Sequence, residues 1–514
     1  MSTSFPSENA SPNSTVRLRE FLPEAVFVGA EDIEVRRCSN QADKCQPGDV
    51  FIPKHTAGTD EHDQVETAIR RGAVAVVADR LLPVSIPQCL VESTQEVFAK
   101  VCQALAGEPS QRMLTIGVVG THGKTTTTLF MASMLKRIGG SVAYYTSLGA
   151  SDSTYCDREA VRRPGARKLA KWLEQADKAG TPAAIIELSP SMLQQEVTAG
   201  VEFDLIVVTS LRPPQARGGV SVRQQKHLLT KLSSQMKEHG AVLYNADDAC
   251  AANWVEGCDR TCISFGLDAA EHIRAKRLSR MGGEQQLLTT CGNLIMPMTL
   301  KLPGDQVARS ALAAVATAWV FDFNVPEAIA GTEALTTIPG RMERVKQAIE
   351  VPVVVDAADT PDRLAVAAHA LRVHKQGPAT IVMDLSSRLE ERWQQRLGEV
   401  LEKATEKVVL TASELEPSAA QRLAMDVLGG FKKPGRVEII PDRVAAIQWA
   451  VENTSQGSIL LAGKGEKSWC DRAGELTSDM AVAKLAVNEK NTVPCPALGI
   501  FPPPGPNSFF PIDS

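Results

Sequence analysis

LTIGVVGTHGKTTTTLFMASMLKRIGG, residues 114–140, is where the architecture of this chain becomes readable. LTIGVVG is an apolar run of strand length. TTTTLFMASMLKRIG carries its apolar positions at helical spacing. Between them, Gly120, Thr121, His122 and Gly123 form a short glycine-bearing loop. Glycines let such a loop curl until its N–H groups point at phosphate oxygens, and the following helix adds its positive end. Lys124 is then placed for the β and γ phosphates, and the Thr125 hydroxyl for a Mg²⁺ ion. Gly117, Gly120 and Gly123 stand three apart, which departs from the usual GxxxxGK[ST] spacing. A chance strand–glycine loop–helix is the bland alternative; the correct flanks and the GKTT end favour ATP.

Working outward, AAIIELS, DLIVVTSL and AVLYNADD repeat the buried-strand pattern, with helical stretches between them. Apolar strands alternating with helices imply an α/β fold with a parallel sheet. Upstream, VFVGA, DVFIP and AVAVVADR predict a smaller α/β unit. Downstream, VPVVVDAAD, ATIVMDL, KVVLTA, VEIIP and SILLAGKG predict a third, Rossmann-like unit with helices over 361–375, 389–405, 442–453 and 478–488. The expected division is a disordered tail over 1–15, an N-terminal domain over 16–108, and a central ATP-binding domain over 109–336. A C-terminal domain over 337–490 and a Pro-rich tail over 491–514 complete it.

Composition narrows the class. At 514 residues the chain is too long for one ordinary core. Its 55 basic and 60 acidic residues leave a net charge of −5, which does not suit a nucleic-acid or anionic-membrane surface. No apolar run reaches the ~18 residues of a membrane span, and residues 1–15 have neither a basic nor an apolar leader segment. The 11 cysteines are scattered without a CxxC, and Cys258 with Cys262 is a weak zinc pattern. A cytoplasmic, monomeric protein with reduced thiols is expected.

Read together, several segments resemble the Mur ligase family, within it the branch that adds the third residue, diaminopimelate or lysine. GTHGKTT is similar to that family's GT-x-GKTT loop. PGDVFIP with AIRRGAVAVV, PGRMERV at 339–345, DAADTPD at 356–362 and AGKG at 462–465 are similar to further family segments. The resemblance spans roughly residues 25–488. It implies ATP and Mg²⁺ as cofactors, with a UDP-muramoyl peptide and an amino acid as substrates joined through an acyl phosphate. By the same resemblance Gly120, Thr121, Gly123, Lys124, Thr125, Thr126, Asn245, Arg341 and Asp356 would bind the nucleotide. Thr125, Glu187 and a carbamylated Lys226 would hold the metal, and Lys124, Lys226 and Arg341 would serve catalysis. A solvated surface lysine and a solvated hinge arginine are the alternatives for Lys226 and Arg341.

The same comparison exposes departures. ELSPSML at 187–193 keeps the Glu but has Ser191 where the family has His. Pro214 and Gln215 stand where an Asp-His pair is expected, and neither supplies a carboxylate or an imidazole. Val307 and Ser310 replace two asparagines, Asp359 and Glu466 replace histidines, and Arg162-Arg163-Pro164 replaces a uracil-side TTP. Ser413–Glu416, SELE, replaces the diaminopimelate-binding DNPR, so Glu416 reverses a charge unless Arg388 or Arg392 substitutes. Three functions therefore stand: an active amide ligase of peptidoglycan precursor synthesis, an ATP-binding paralogue with a regulatory or scaffold role, or a ligase with an altered substrate.

Overall fold

The computed structural model describes residues 15–492, except 57, 158–164, 214, 216–218, 271, 282–283, 347–350 and 375–377. The two expected tails, Arg162-Arg163-Pro164 and Pro214 thus fall outside the described residues, save for residue 15 and the last helical turn. That helix, Asp479–Thr492, continues two residues into the segment expected to be tail.

The central sheet runs Ala143–Thr146, Ala183–Glu187, Leu114–Val119, Phe203–Val208, Met236–Asn245 and Thr261–Gly266 in spatial order, all parallel. The phosphate-loop strand therefore sits between strands that come later in the chain. This order places a crevice at its carboxyl end, where open α/β sheets bind ligands. Ile116 and Val118 face a core made with Phe130, Met131 and Met134 of the Lys124–Gly139 helix and with the alanines of the Asp305–Val320 helix. Val119, Ile186 and Val208 face the opposite core, closed by the Ala166–Lys178 and Val222–Ser233 helices. Burial on both faces is why these strands read as unbroken apolar runs.

The parallel expectation covers only part of this sheet. Ile273–Met281 still pairs in parallel with Thr261–Gly266, and the sheet then continues antiparallel through Glu284–Cys291 and Leu294–Leu300, a meander whose alternating burial needs helical cover on one face only. The N-terminal unit is a five-stranded sheet ordered Val26–Val28, Gln88–Leu90, Ala75–Ala78, Val50–Phe51, Cys38–Ser39. The third unit has six strands ordered Glu343–Arg344, Val353–Asp356, Ser458–Ala462, Ala379–Asp384, Lys407–Thr411, Val437–Ile439. The anticipated helices form there as Pro361–His374, Glu391–Ala404, Arg443–Asn453 and Asp479–Thr492. A further one, Pro417–Leu428, starts with proline in its first turn.

Candidate active site

The phosphate loop is built from backbone constraints. Gly120 has φ +138°, and a Cβ there would run into the Thr209 hydroxyl and lie 2.8 Å from the Ser210 carbonyl oxygen. Only glycine allows this approach, because the loop leans on the neighbouring strand end. There the Thr121 N–H donates to the Ser210 carbonyl (2.8 Å) and the His122 N–H donates to Ser210 Oγ (3.0 Å). Gly123, with φ +85°, caps the Lys124–Gly139 helix. Lys124 folds back over the loop and donates from Nζ to the Gly120 carbonyl at 2.8 Å. Thr126 is buried in the helix's first turn.

Glu187 closes the side of the loop. Its Oε2 accepts from Thr125 Oγ1 and from the Ser147 N–H, both at 2.9 Å. Two oxygens of different elements so disposed suit a hard cation completed by phosphate oxygens and water. Burial lowers the Lys124 pKa; the Glu187 carboxylate opposes this, while Arg363 and Arg341 add to it. His122 is pushed down to about 3, by burial first and then by Arg363, Lys124 and Arg212. The loop thus has an excess of positive charge and a neutral imidazole.

The third unit reaches this loop. Arg363, in the first turn of the Pro361–His374 helix, donates from Nε to His122 Nδ1 at 3.2 Å and is held by Asp359 at 2.9 Å. Gln215 occupies the place expected for a metal-serving His, yet it is a joint: its Oε1 accepts from the Asp362 N–H (3.0 Å) and its carbonyl from the Glu390 N–H (3.4 Å). Arg341 donates to Glu466 Oε2 at 2.8 Å. Asp356 accepts from the Met342 and Ala358 N–H groups at 2.8 and 2.9 Å, fixing the PGRMERV segment that carries Arg341. Burial raises the Asp356 pKa, against the Arg341 charge and those donors.

Other expected residues go elsewhere. Lys226 does not join Thr125 and Glu187; its Nζ donates to Asn253 Oδ1 at 2.6 Å. The Val222–Ser233 helix instead turns Gln225 inward, where it bonds the Val220 and Arg212 carbonyls and accepts from Thr121 Oγ1. Lys226 lies one residue, about 100°, further round. Asn245 is buried and donates to the Thr209 carbonyl at 2.9 Å, so it ties two strand ends together. Asp247 accepts from the Leu267, Asp268 and Ala269 N–H groups and from Arg309. Glu414 pairs with Lys464 at 2.7 Å, and Lys464 with Asp384 at 3.1 Å. Glu416 is the exposed residue preceding the Pro417–Leu428 helix. The two acids expected to face a substrate anion thus diverge. Beside them lies a cavity of about 690 Å³, lined among others by Ser413, Gln421, Asp442, Arg443, Trp469 and Arg472.

The family model of the Mur ligase middle domain matches residues 118–318, and that of the Mur ligase glutamate ligase domain matches residues 340–465. Together these spans cover more than half of the sequence. The chain belongs to the Mur ligase family. Among its relatives, the UDP-N-acetylmuramoyl-L-alanyl-D-glutamate-2,6-diaminopimelate ligase of Geobacillus thermodenitrificans (strain NG80-2) is 26% identical over 457 residues, 86% of this chain and 93% of the relative. A solved structure of a ligase of that name superposes with a TM-score of 0.68 at 20% identity, covering 93% of this chain and all of the other. The MurF ligase of Thermotoga maritima, solved in complex with ADP, gives 0.60 at 18% identity over 89% and 99% of the two chains. The likeness at these identities is one of fold: the Mur ligase arrangement of three units is the one described above.

Arg363, Gln225 and Gln306 are site residues that sequence reasoning passed over. Gln306 lies so close to Gly123 that a Cβ there would meet its amide nitrogen. For Arg363 a signal existed, an arginine directly after the DAADTPD segment.

Proposed function

We propose that this Mur ligase joins an amino acid to a UDP-N-acetylmuramoyl peptide at the expense of ATP, in peptidoglycan precursor synthesis. The observation that carries this reading is the phosphate loop itself, with Lys124 curled inside it, Glu187 beside Thr125, and Arg363 brought over it from the third unit. A carboxylate oxygen of the muramoyl peptide attacks the γ phosphorus and ADP leaves. The amine then attacks the acyl carbon, inorganic phosphate departs, and the amine loses its proton. Lys124 and Arg363 neutralise charge on the moving phosphoryl group, as preorganised cations do in phosphoryl transfer. Thr125 and Glu187 would hold Mg²⁺, which supplies a Lewis acid to the phosphate oxygens. Arg341, once freed from Glu466, and Asp356 serve the nucleotide from the third unit. Lys226 is proposed only as a support for Asn253.

The reading includes domains at 16–108, 109–336 and 337–490, a monomer, and a cytoplasmic site of action. No described helix is long and apolar enough to cross a membrane. The test is phosphate release by the purified chain with UDP-muramoyl dipeptide and a panel of amino acids, lysine and diaminopimelate among them, alongside Lys124→Ala. We expect turnover with one amino acid, and ATP affinity at least tenfold weaker in the variant. Unchanged affinity in Lys124→Ala would remove the site assignment. A second reading, nucleotide binding without turnover, is favoured by the Arg341–Glu466 pair, which occupies a cation the chemistry needs. Binding with silence across the whole panel would select it.

A further inference from the structure

Away from the phosphate loop, in the N-terminal unit, three side chains converge without a part in the reading above. His55 lies on a hairpin, His55–Thr56 against Thr59–Asp60, in which His55 faces Asp60. His62 opens the short helical turn that follows, and Asp79 directly follows the buried Ala75–Ala78 strand in the middle of the sheet. His55 Nδ1 contacts one oxygen of Asp79, and His62 Nε2 lies 3.4 Å from the other. One ligand atom from each residue falls within 4.8 Å of the other two.

The tautomer of His62 gives this cluster its direction. Its side chain is fully buried, and Nδ1 lies 2.7 Å from Asp60 Oδ1. Asp60 also accepts from the His62 backbone N–H at 3.0 Å and from Arg80 at 2.8 Å. A carboxylate oxygen only accepts, so the ring donates from Nδ1 to Asp60 and presents Nε2 to Asp79. Nε2 accepts a long hydrogen bond from the Asp79 N–H at 3.5 Å. A ring nitrogen and a carboxylate oxygen this close meet favourably across a shared proton or a bound cation. The arrangement is that of a metal-binding histidine oriented through its other nitrogen by a carboxylate. Arg80 is the opposing charge, donating to Asp60 at 2.8 Å and lying 3.4 Å from Asp79.

We propose that His55, His62 and Asp79 form a site for a borderline divalent transition ion, zinc by chemical type, with Asp60 as the orienting carboxylate. Two imidazole nitrogens and one carboxylate oxygen are a donor set for such an ion and not for Mg²⁺. His55 is partly exposed, so a fourth position is open to water. The ion would clamp the His55–Thr56 strand to the end of the central strand of this sheet.

The test titrates the tag-free, metal-stripped full chain with Zn²⁺ and, in parallel, with Co²⁺, reading bound metal and the visible d–d bands. We expect one equivalent, with Co²⁺ bands typical of nitrogen and oxygen donors. Affinity should fall at least a hundredfold in His55→Ala, whose side chain is exposed enough to spare the fold, and tenfold or more in Asp60→Asn. His62→Ala should abolish binding, and Lys124→Ala should leave the stoichiometry unchanged. Three results would overturn the site: no bound equivalent, undiminished affinity in His55→Ala, or a thiolate charge-transfer band placing the ion on cysteines.

Discussion

Two residues of the phosphate loop region carry charge arguments that can be measured. His122 is neutral in the folded chain, its pKa pushed from 6.5 to about 3 by burial and three nearby cations. In the unfolded chain it takes up a proton as the pH falls below about 6.5, while the folded chain resists until about 3. The unfolded state therefore binds more protons across that window, and stability rises with pH from about 3 to about 6.5 on this account. Urea midpoints followed through that range should slope less in His122→Asn than in the wild type; equal slopes would mean the imidazole titrates normally. Arg363 is the second case. Its fork meets His122 and Asp359. Arg363→Ala should lower phosphate release by about 10²–10³-fold, as loss of a transition-state cation does. Lysine should restore only part of this, because an ammonium lacks the planar fork. Wild-type turnover in the alanine variant would exclude Arg363 from the chemistry.

Helices in the third unit touch more closely than their sequences suggest. Gly398, within Glu391–Ala404, lies so near the end of Pro417–Leu428 that a Cβ would collide with the Val427 carbonyl, and Gly430 approaches the Gln395 carbonyl in the same way. Glycine inside a helix is unfavourable by roughly 0.5–1 kcal/mol relative to alanine, so alanine at 398 would gain propensity. The contact outweighs it. Gly398→Ala should destabilise by about 1–3 kcal/mol through overpacking, measured as a lower thermal midpoint. A raised midpoint would show that these helices can move apart freely. The same element scale explains Lys226. Its neighbour Gln225 occupies the inward position of the Val222–Ser233 helix and donates to the Arg212 and Val220 carbonyls.

Across the whole molecule the two outer units are held differently. The N-terminal unit shares its apolar core with Ala166, Ala170 and Ala199 of the central unit, and Lys231 bridges Glu96 and Glu196 across the same boundary. The third unit meets the phosphate loop largely through polar contacts, Arg363 with His122 and Gln215 with Asp362 and Glu390. Polar contacts of this kind are worth little net free energy each, so this joint is the one expected to open. Gln215→Ala combined with Arg363→Ala should enlarge the radius of gyration in solution scattering while leaving the thermal midpoint nearly unchanged. An unaltered radius would show that the contacts do not hold the units together. Saturating ATP analogue with muramoyl substrate should keep the wild type compact.

The sequence by itself determined the elements whose physics is local. Strand 114–119, the two glycines of the loop and the helix behind it follow from apolar run length, permitted φ and periodicity. The order of three α/β units follows from the same signals repeated. What only the tertiary structure decided is which distant residues share a site. The family pattern put Lys226 with the metal, but helix rotation turns it to Asn253. No local signal gives Arg363 and Gln215 their partners, which lie about 240 and 150 residues away and meet them only when the third unit docks. Glu414 and Glu416 are neighbours in sequence, yet Glu414 pairs with Lys464 while Glu416 stands exposed at the N-cap of the next helix. Long-range pairing depends on how surfaces pack, and packing is a property of the assembled chain.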